Sequence, residues 1–378
     1  MKNPIISVLV TDGETDESLK FIRCLGFAGG YRIHVQSSWP KARAQYSKYC
    51  SRFYSRHLTT VGEWVSFLRT EAAKEKIDLI VPIKEPTIQL FSQNSELLGH
   101  EKILALPSFE SLYITLNKWR FQRYIEMQGL PHIPSAYIGI SGEKLEGNLE
   151  EIMHVNYPAL LKPTDKGGGT GIHIVNDYGE LQRLWFEEGF LQKGIEYLLQ
   201  NYMEGTDYCL QLYAHDGKIL VYTIQKSLQE EDVAFYGPQR IMEFVKNDEL
   251  LEVSKRLIGA LAWDGFACVD FRMVDGQPPY RLLEINPRVG QALMGSMLKG
   301  VNLADIGCRE SLNMELPIFN YHPGLYAHPK AYVNKLLQRI KGQKISKDIS
   351  WQNSGLKFIC IDPKPELTEM LPRIWRRS

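Results

Sequence analysis

One stretch constrains this chain more than any other. Leu160-Leu161-Lys162 reads as the end of an apolar strand, and Pro163-Thr164-Asp165-Lys166 leads from it into Gly167, Gly168, Gly169, Thr170 and Gly171. A loop with so few side chains can bring its amide N–H groups against phosphate oxygens. Lys162, at the strand end, could neutralise an α- or β-phosphate. The loop is not a Walker loop, because no Lys-Ser/Thr follows a G-x-x-x-x-G. It also lacks the i, i+2, i+5 glycine spacing of the dinucleotide fingerprint. A flexible hairpin tip would use the same residues, and the stretch alone does not choose between the two.

A second pattern adds acids. Cys268-Val269-Asp270-Phe271-Arg272 and Leu282-Leu283-Glu284-Ile285-Asn286-Pro287-Arg288 flank the turn Asp275-Gly276. Side chains alternate faces along a strand, so Asp270 and Arg272 share one face, and Glu284, Asn286 and Arg288 share another. A hairpin that sets 273 opposite 281 also sets Asp270 opposite Glu284. Two facing carboxylates repel unless a cation lies between them. Carboxylate and amide oxygens with room for phosphate and water are the usual donors to Mg²⁺. A solvated face with Arg272 and Arg288 as counterions fits less well, since Leu282, Leu283 and Ile285 mark the strand as largely buried. A third stretch, Gln200-Asn201-Tyr202-Met203-Glu204-Gly205-Thr206-Asp207, could offer backbone groups to an adenine edge and Asp207 to a ribose. An ordinary strand–turn–strand explains it equally well.

Composition narrows the class. The 378 residues carry 44 Lys+Arg against 44 Asp+Glu, with 44% hydrophobic residues, which is ordinary globular composition of two or three domains. Zero net charge argues against a sequence-independent nucleic-acid binder. No stretch offers ~20 uninterrupted apolar residues for a membrane span. The apolar run 5–10 is too short for a secretory signal, and the six cysteines show neither metal spacing nor a disulfide pattern. A cytoplasmic protein with reduced thiols is expected.

The first third alternates strand and helix signals: strands at 5–10, 32–35 and 79–81, helices at 18–25 and 63–74. That predicts a small parallel sheet, with ligands beyond its strand ends, near Asp12, Gly13, Glu14 and residues 82–85. A helix opens at Asn117-Lys118 and stops at Gly129. Short strands and tight turns then dominate to about residue 290, including a hairpin about Asp216-Gly217. Long helices are expected at 248–262 and 333–341. Arg373, Arg376 and Arg377 form a small basic tail that reads as solvated.

Taken in order, Asn117-Lys118, Lys162 with its glycine loop, Gln200 to Asp207, Asp270 and Glu284-x-Asn286-Pro287-Arg288 resemble the ATP-grasp superfamily, in its carbamoyl-phosphate-synthetase-like and carboxylate–amine ligase form. The resemblance runs from about residue 4 to 310. It implies an α/β and α+β chain: a pre-ATP-grasp parallel-sheet domain at 1–112, an ATP-grasp domain at 113–310 with a mobile lid subdomain at about 156–196, and a C-terminal extension at 311–378. ATP and Mg²⁺, with Mn²⁺ as a substitute, would be the cofactors. Lys118 and Lys162 match the phosphate-contacting lysines, and Gly167, Gly168, Gly169 and Gly171 the lid loop. Gln200, Tyr202 and Met203 match the adenine hinge, and Asp207 the ribose acid. Asp270, Glu284 and Asn286 match the Mg²⁺ ligands, and Arg288 the arginine that stabilises an acyl phosphate. Position 117 is Asn where Asp is common, and Gln200 stands where Glu is frequent. Glu85, Lys226 and Arg272 are candidates for the substrate side.

The resemblance implies an ADP-forming ligase joining a small carboxylate to an amine, with amino acids as the expected substrates and a homodimer common in such enzymes. A carboxylase, a carboxylate–thiol ligase and a non-catalytic ATP-binding module are the alternatives. The last is disfavoured because every phosphate and metal position is intact.

Overall fold

The computed structural model describes residues 5–99, 103–141, 144–186, 195–228, 241–274, 277–341 and 349–368. Three sheets organise them. The first is parallel, in the order β3-β2-β1-β4, from β1 (Ile6–Val10), β2 (Tyr31–Ser37), β3 (Cys50–Ser55) and β4 (Leu79–Val81). All five residues of β1 are buried, as expected of a strand covered on both faces. Thr15 caps the helix Asp16–Ala28 that follows it by accepting from the Ser18 N–H. The expected helix 63–74 is shorter: an α-helix at Val61–Thr70 gives way to a 3₁₀ turn at Ala72–Glu75.

The second sheet, β6-β5-β9-β7-β8, comprises β5 (Ser135–Ser141), β6 (Lys144–Glu146), β7 (Ala159–Pro163), β8 (His173–Val175) and β9 (Tyr197–Asn201). It encloses its own core, with Ile138, Ile152, Leu161, Val175 and Leu199 at the centre. This sheet spans more chain than the 156–196 segment suggested by the resemblance, and residues 187–194 of that segment lie outside the described residues.

The third sheet is antiparallel, β14-β13-β10-β11-β12-β15, from β10 (Thr206–His215), β11 (Lys218–Ser227), β12 (Ile241–Val245), β13 (Gly265–Val274), β14 (Gln277–Asn286) and β15 (Gly324–Ala327). Asp216 and Gly217 join β10 to β11 with φ of 53° and 69°, the doubly left-handed turn that matches strand twist. The turn Asp275-Gly276 lies outside the described residues, as does the basic tail 373–377. The helix Asp248–Ala260 starts at an Asn247 cap and buries Leu250, Val253, Leu257 and Ile258, one stripe at helical spacing, against the back of this sheet. The helix Lys118–Met127 adds Phe121 and Ile125 to the same core.

The C-terminal segment returns to the beginning of the chain. Strand β15 closes one edge of the third sheet, and the buried Arg23 pairs with Asp362 at 3.1 Å and Glu366 at 2.7 Å. The expected helix 333–341 begins earlier, at Pro329, a residue suited to a first turn because it has no N–H to leave unpaired. Among the described residues, no helix is long and apolar enough to cross a membrane.

Candidate active site

The cleft lies where the second sheet faces the third. Strand alternation sends Tyr208, Leu210, Leu212, Val269 and Phe271 into the core, so Asp207, Cys209, Gln211, Cys268, Asp270 and Arg272 line the other face. Lys162 and Gln200, with Gly168 and Gly169, close the cleft from the opposite side, around a cavity of about 450 Å³. Gly167, Gly171 and Tyr202 lie outside its wall.

Asp270 pairs with Glu284 across β13 and β14, as the hairpin reading predicts, and Cys268 pairs with Asn286. Beyond that point the register shifts, so Arg281 faces Arg272 rather than Met273. This bulge leaves both Leu283 and Glu284 on the cavity, while Leu282 and Ile285 are buried in the core. Without the shift, Leu282 would share the face of Glu284 and Leu283 would be core.

Asn286 Nδ2 donates to Asp270 Oδ2 at 3.2 Å and to Glu284 Oε1 at 3.1 Å. Burial, reinforced by the Glu284 charge, pushes the Asp270 carboxyl up to about 7. A divalent cation among these oxygens would reverse that cost, and hard oxygen donors suit Mg²⁺. Among the described residues no three His, Cys, Asp or Glu side chains group as a metal site. Two carboxylates and an amide therefore fit an ion completed by phosphate and water rather than an all-protein cage.

The cations converge on the same carboxylates. Lys118 Nζ lies 3.7 Å from Glu284 and donates to the carbonyl of Lys166 in the glycine-loop approach. Its backbone N–H donates to Thr164 O at 2.9 Å. Asn117 caps the helix by accepting from the Arg120 N–H and also donates to Thr164 Oγ1 at 3.1 Å. A carboxylate could cap but could not donate, which is a structural use for Asn at 117. Lys162 Nζ donates to Gln200 Oε1 at 2.8 Å, and burial lowers its pKa to about 8 against the pull of Glu284.

At the hinge, Gly205 sits at φ 155°, where a Cβ would lie 2.0 Å from Met273 O, so only glycine permits this approach of backbone to β13. Arg272 donates to Asp207 Oδ1 at 2.5 Å and to Met203 O at 2.8 Å. All three residues lie on the cavity wall, so Arg272 is held at that end of the cleft. Lys226 departs from the expected position. It belongs to β11 rather than to a loop, its ammonium lies 5.9 Å from the Tyr208 ring centroid, and the alternate residue Gln225 lines the cavity instead. Glu85 does stand at the far end, accepting from Arg288 Nε at 3.0 Å.

Several wall residues carry no motif. Gln211 Oε1 accepts from Gly290 N–H at 3.1 Å, and its amide donates to Gln225 at 3.2 Å; both glutamines are buried. Behind the wall, Lys20 on the first helix is 5% exposed and donates to the wall residue Gln291, beside Arg288. A lysine within Leu19, Phe21, Ile22 and Leu25 was the available signal.

The ADP complex of an N5-carboxyaminoimidazole ribonucleotide synthetase superposes on 93% of the chain and 90% of its own length, at a TM-score of 0.67 and 14% identity. The chain has the ATP-grasp fold. An L-amino acid ligase from Bacillus licheniformis shares that fold at a TM-score of 0.58, 14% identity and coverage of 82% and 75%. Residues 194–324 match the family described as "ATP-grasp in the biosynthetic pathway with Ter operon". The matched range includes Asp270, Glu284 and Asn286 but not Lys118 or Lys162. The carbamoyl phosphate synthase large chain of Clostridium beijerinckii is 27% identical over 207 residues, 51% of this chain. The chain thus spans about a fifth of the length of the curated relatives it matches, 19% in that case.

Proposed function

We propose that this ATP-grasp protein is an ADP-forming carboxylate–amine ligase working through an acyl phosphate. The observation that carries the reading is the meeting of Lys118, Lys162, Asp270, Glu284, Asn286 and Arg288 around one cavity, with the glycine loop as its cover. Adenine would sit at the hinge, against Leu283 and the backbone of Gln200 to Met203, with Asp207 held by Arg272 for the ribose. Bound Mg²⁺, held by Asp270, Glu284 and Asn286, would neutralise charge on the phosphates.

In the reaction a substrate carboxylate oxygen attacks the γ-phosphorus and ADP leaves. Lys162 and the amides of Gly168 and Gly169 would spread the charge of the moving phosphoryl group. Arg288, oriented by Glu85, would hold the acyl-phosphate oxygens. An amine then attacks the acyl carbon and releases phosphate, and the loop excludes water that would otherwise take the amine's place. Each bond made and broken belongs to substrates, so no protein nucleophile is needed.

Purified protein with Mg-ATP should release ADP and phosphate only when both a carboxylate and an amine are supplied, the first panel being amino acids. Release of AMP would overturn the acyl-phosphate step. A second reading, bicarbonate as the carboxyl donor, is favoured by the shared fold of the 2-oxoglutarate carboxylase biotin carboxylase domain of Hydrogenobacter thermophilus in complex with MgADP and bicarbonate, over 85% of the chain at a TM-score of 0.61. Turnover that requires bicarbonate in place of an amino acid carboxylate would select it.

A further inference from the structure

The helix Pro329–Ile340, expected from the sequence and unused by the cleft, presents a surface of its own. Val333, Leu336, Leu337 and Ile340 recur at spacings of three and four, so they share one face of the helix. All four are exposed, at 37%, 45%, 50% and 75%. The other side is the one held to the protein: Ala331 is buried with Ile241, Ala327 and Ile349, and Tyr332 packs beside them. An amphipathic helix of a globular protein normally turns its apolar stripe to the core, and here the stripe points outward. A contiguous exposed stripe of this kind marks an interaction surface.

Charge on the helix selects the partner. Residues 329–341 carry Lys330, Lys335, Arg339 and Lys341 and no acid, in a chain whose formal charge is zero. Lys330, three residues before Val333, and Lys341, four after Leu337, border the stripe on one side, and both are exposed. Tyr332, four residues before Leu336, borders it on the other, and Trp351, 42% exposed, meets its ring edge-on at 6.2 Å. Tyr and Trp rings settle at lipid–water boundaries, and lysines beside an apolar face suit anionic headgroups. A second copy of the chain docking through the same stripe would set these cations against their own kind. A groove in another protein would wrap the helix, whose back is already packed on β12 and β15. A plane needs only the outward stripe.

We propose that the helix Pro329–Ile340 seats the protein on the surface of an anionic phospholipid bilayer. Val333, Leu336, Leu337 and Ile340 enter the headgroup boundary, and Lys330 and Lys341 meet the anionic headgroups. This is attachment to a surface and not a span. It stands apart from the reaction, since none of these residues lines the cleft.

Sedimentation of the full chain with lipid vesicles tests it. Vesicles of phosphatidylcholine with one-quarter phosphatidylserine should carry the protein down, and vesicles of phosphatidylcholine alone should not. Salt at ~0.5 M should release it, because screening shortens the reach of the lysines to a few ångströms. Lys330→Gln with Lys341→Gln should weaken binding about twentyfold, at about fivefold for each lysine. Leu336→Gln with Ile340→Gln should weaken it at least about tenfold. Both variants change exposed side chains only, so circular dichroism and ADP affinity should match those of the wild type. No sedimentation with the anionic vesicles, equal sedimentation with the neutral ones, or full binding by either variant would each overturn the proposal. A dimer in sedimentation velocity that Leu336→Gln with Ile340→Gln dissociates would give the stripe to a second copy and overturn it as well.

Discussion

Raising the pH from 7 to 9 should weaken nucleotide binding by about tenfold, and the cause is one side chain. Lys162 is buried beside Gln200, and burial brings its pKa from the ordinary 10.5 to about 8. Below that value the free protein holds the ammonium charged; above it, the amine is neutral and attracts no phosphate. A bound nucleotide would restore the charged form and keep it through pH 9. At pH 9 a lysine titrating at 8 is about one-tenth charged, so binding must first recharge it, a factor of about ten relative to pH 7. The free protein titrates in the opposite sense. A depressed lysine disfavours the folded state while charged, so this group's destabilisation is present below about pH 8 and relieved as the pH rises toward 10.5. Isothermal titration with ADP, in buffers of matched ionic strength from pH 6.5 to 9.5, measures the profile. Lys162→Met should bind more weakly and lose the pH dependence. A wild-type profile flat to pH 9.5, or an unchanged slope in the methionine variant, would refute the placement of Lys162 at the phosphates.

Other expectations follow from the same geometry. Asp270→Asn with Glu284→Gln should abolish turnover, read as phosphate release. Asp270 is raised from 3.8 to about 7, so its stabilising contribution is complete below about pH 4 and lost as the pH rises through 7. Asp270→Asn should therefore raise the melting temperature of the metal-free protein at pH 8, by about 2 °C, and not at pH 4; equal shifts at both would contradict the carboxylate pairing. Gly205→Ala, whose Cβ would meet Met273 O, should cost ~2 kcal/mol or more in chemical denaturation. Gly168→Ala has open space but φ 63°, and should cost ~1 kcal/mol. Arg272→Lys cannot serve Asp207 and Met203 O together in the same planar fork, and should raise KM for ATP about fivefold with a smaller effect on kcat.

The sequence by itself determined the parts whose rules are local. A glycine run after Lys162 permits a phosphate-closing loop wherever the strand is placed. The strand patterns around Asp270 and Glu284 read as neighbours in one hairpin, and Asn117 next to Lys118 starts a helix. The ordered motifs then implied ATP-grasp, and the superposition bears that out. What only the tertiary structure decided depends on contacts between distant segments. The bulge that turns Leu283 into the cavity answers to the core packing of Leu282 and Ile285, which a constant-sum register ignores. Lys226 is in a strand rather than on the expected loop because β11 runs through it, so the period of two hands the cleft to Gln225. Arg288 finds Glu85 across 203 residues, and Lys20 finds Gln291 across 271. Those pairs form only because folding stacks the parallel sheet's helices on the cleft, and burial then requires a salt link or a hydrogen bond to an amide oxygen to hold a charge out of water.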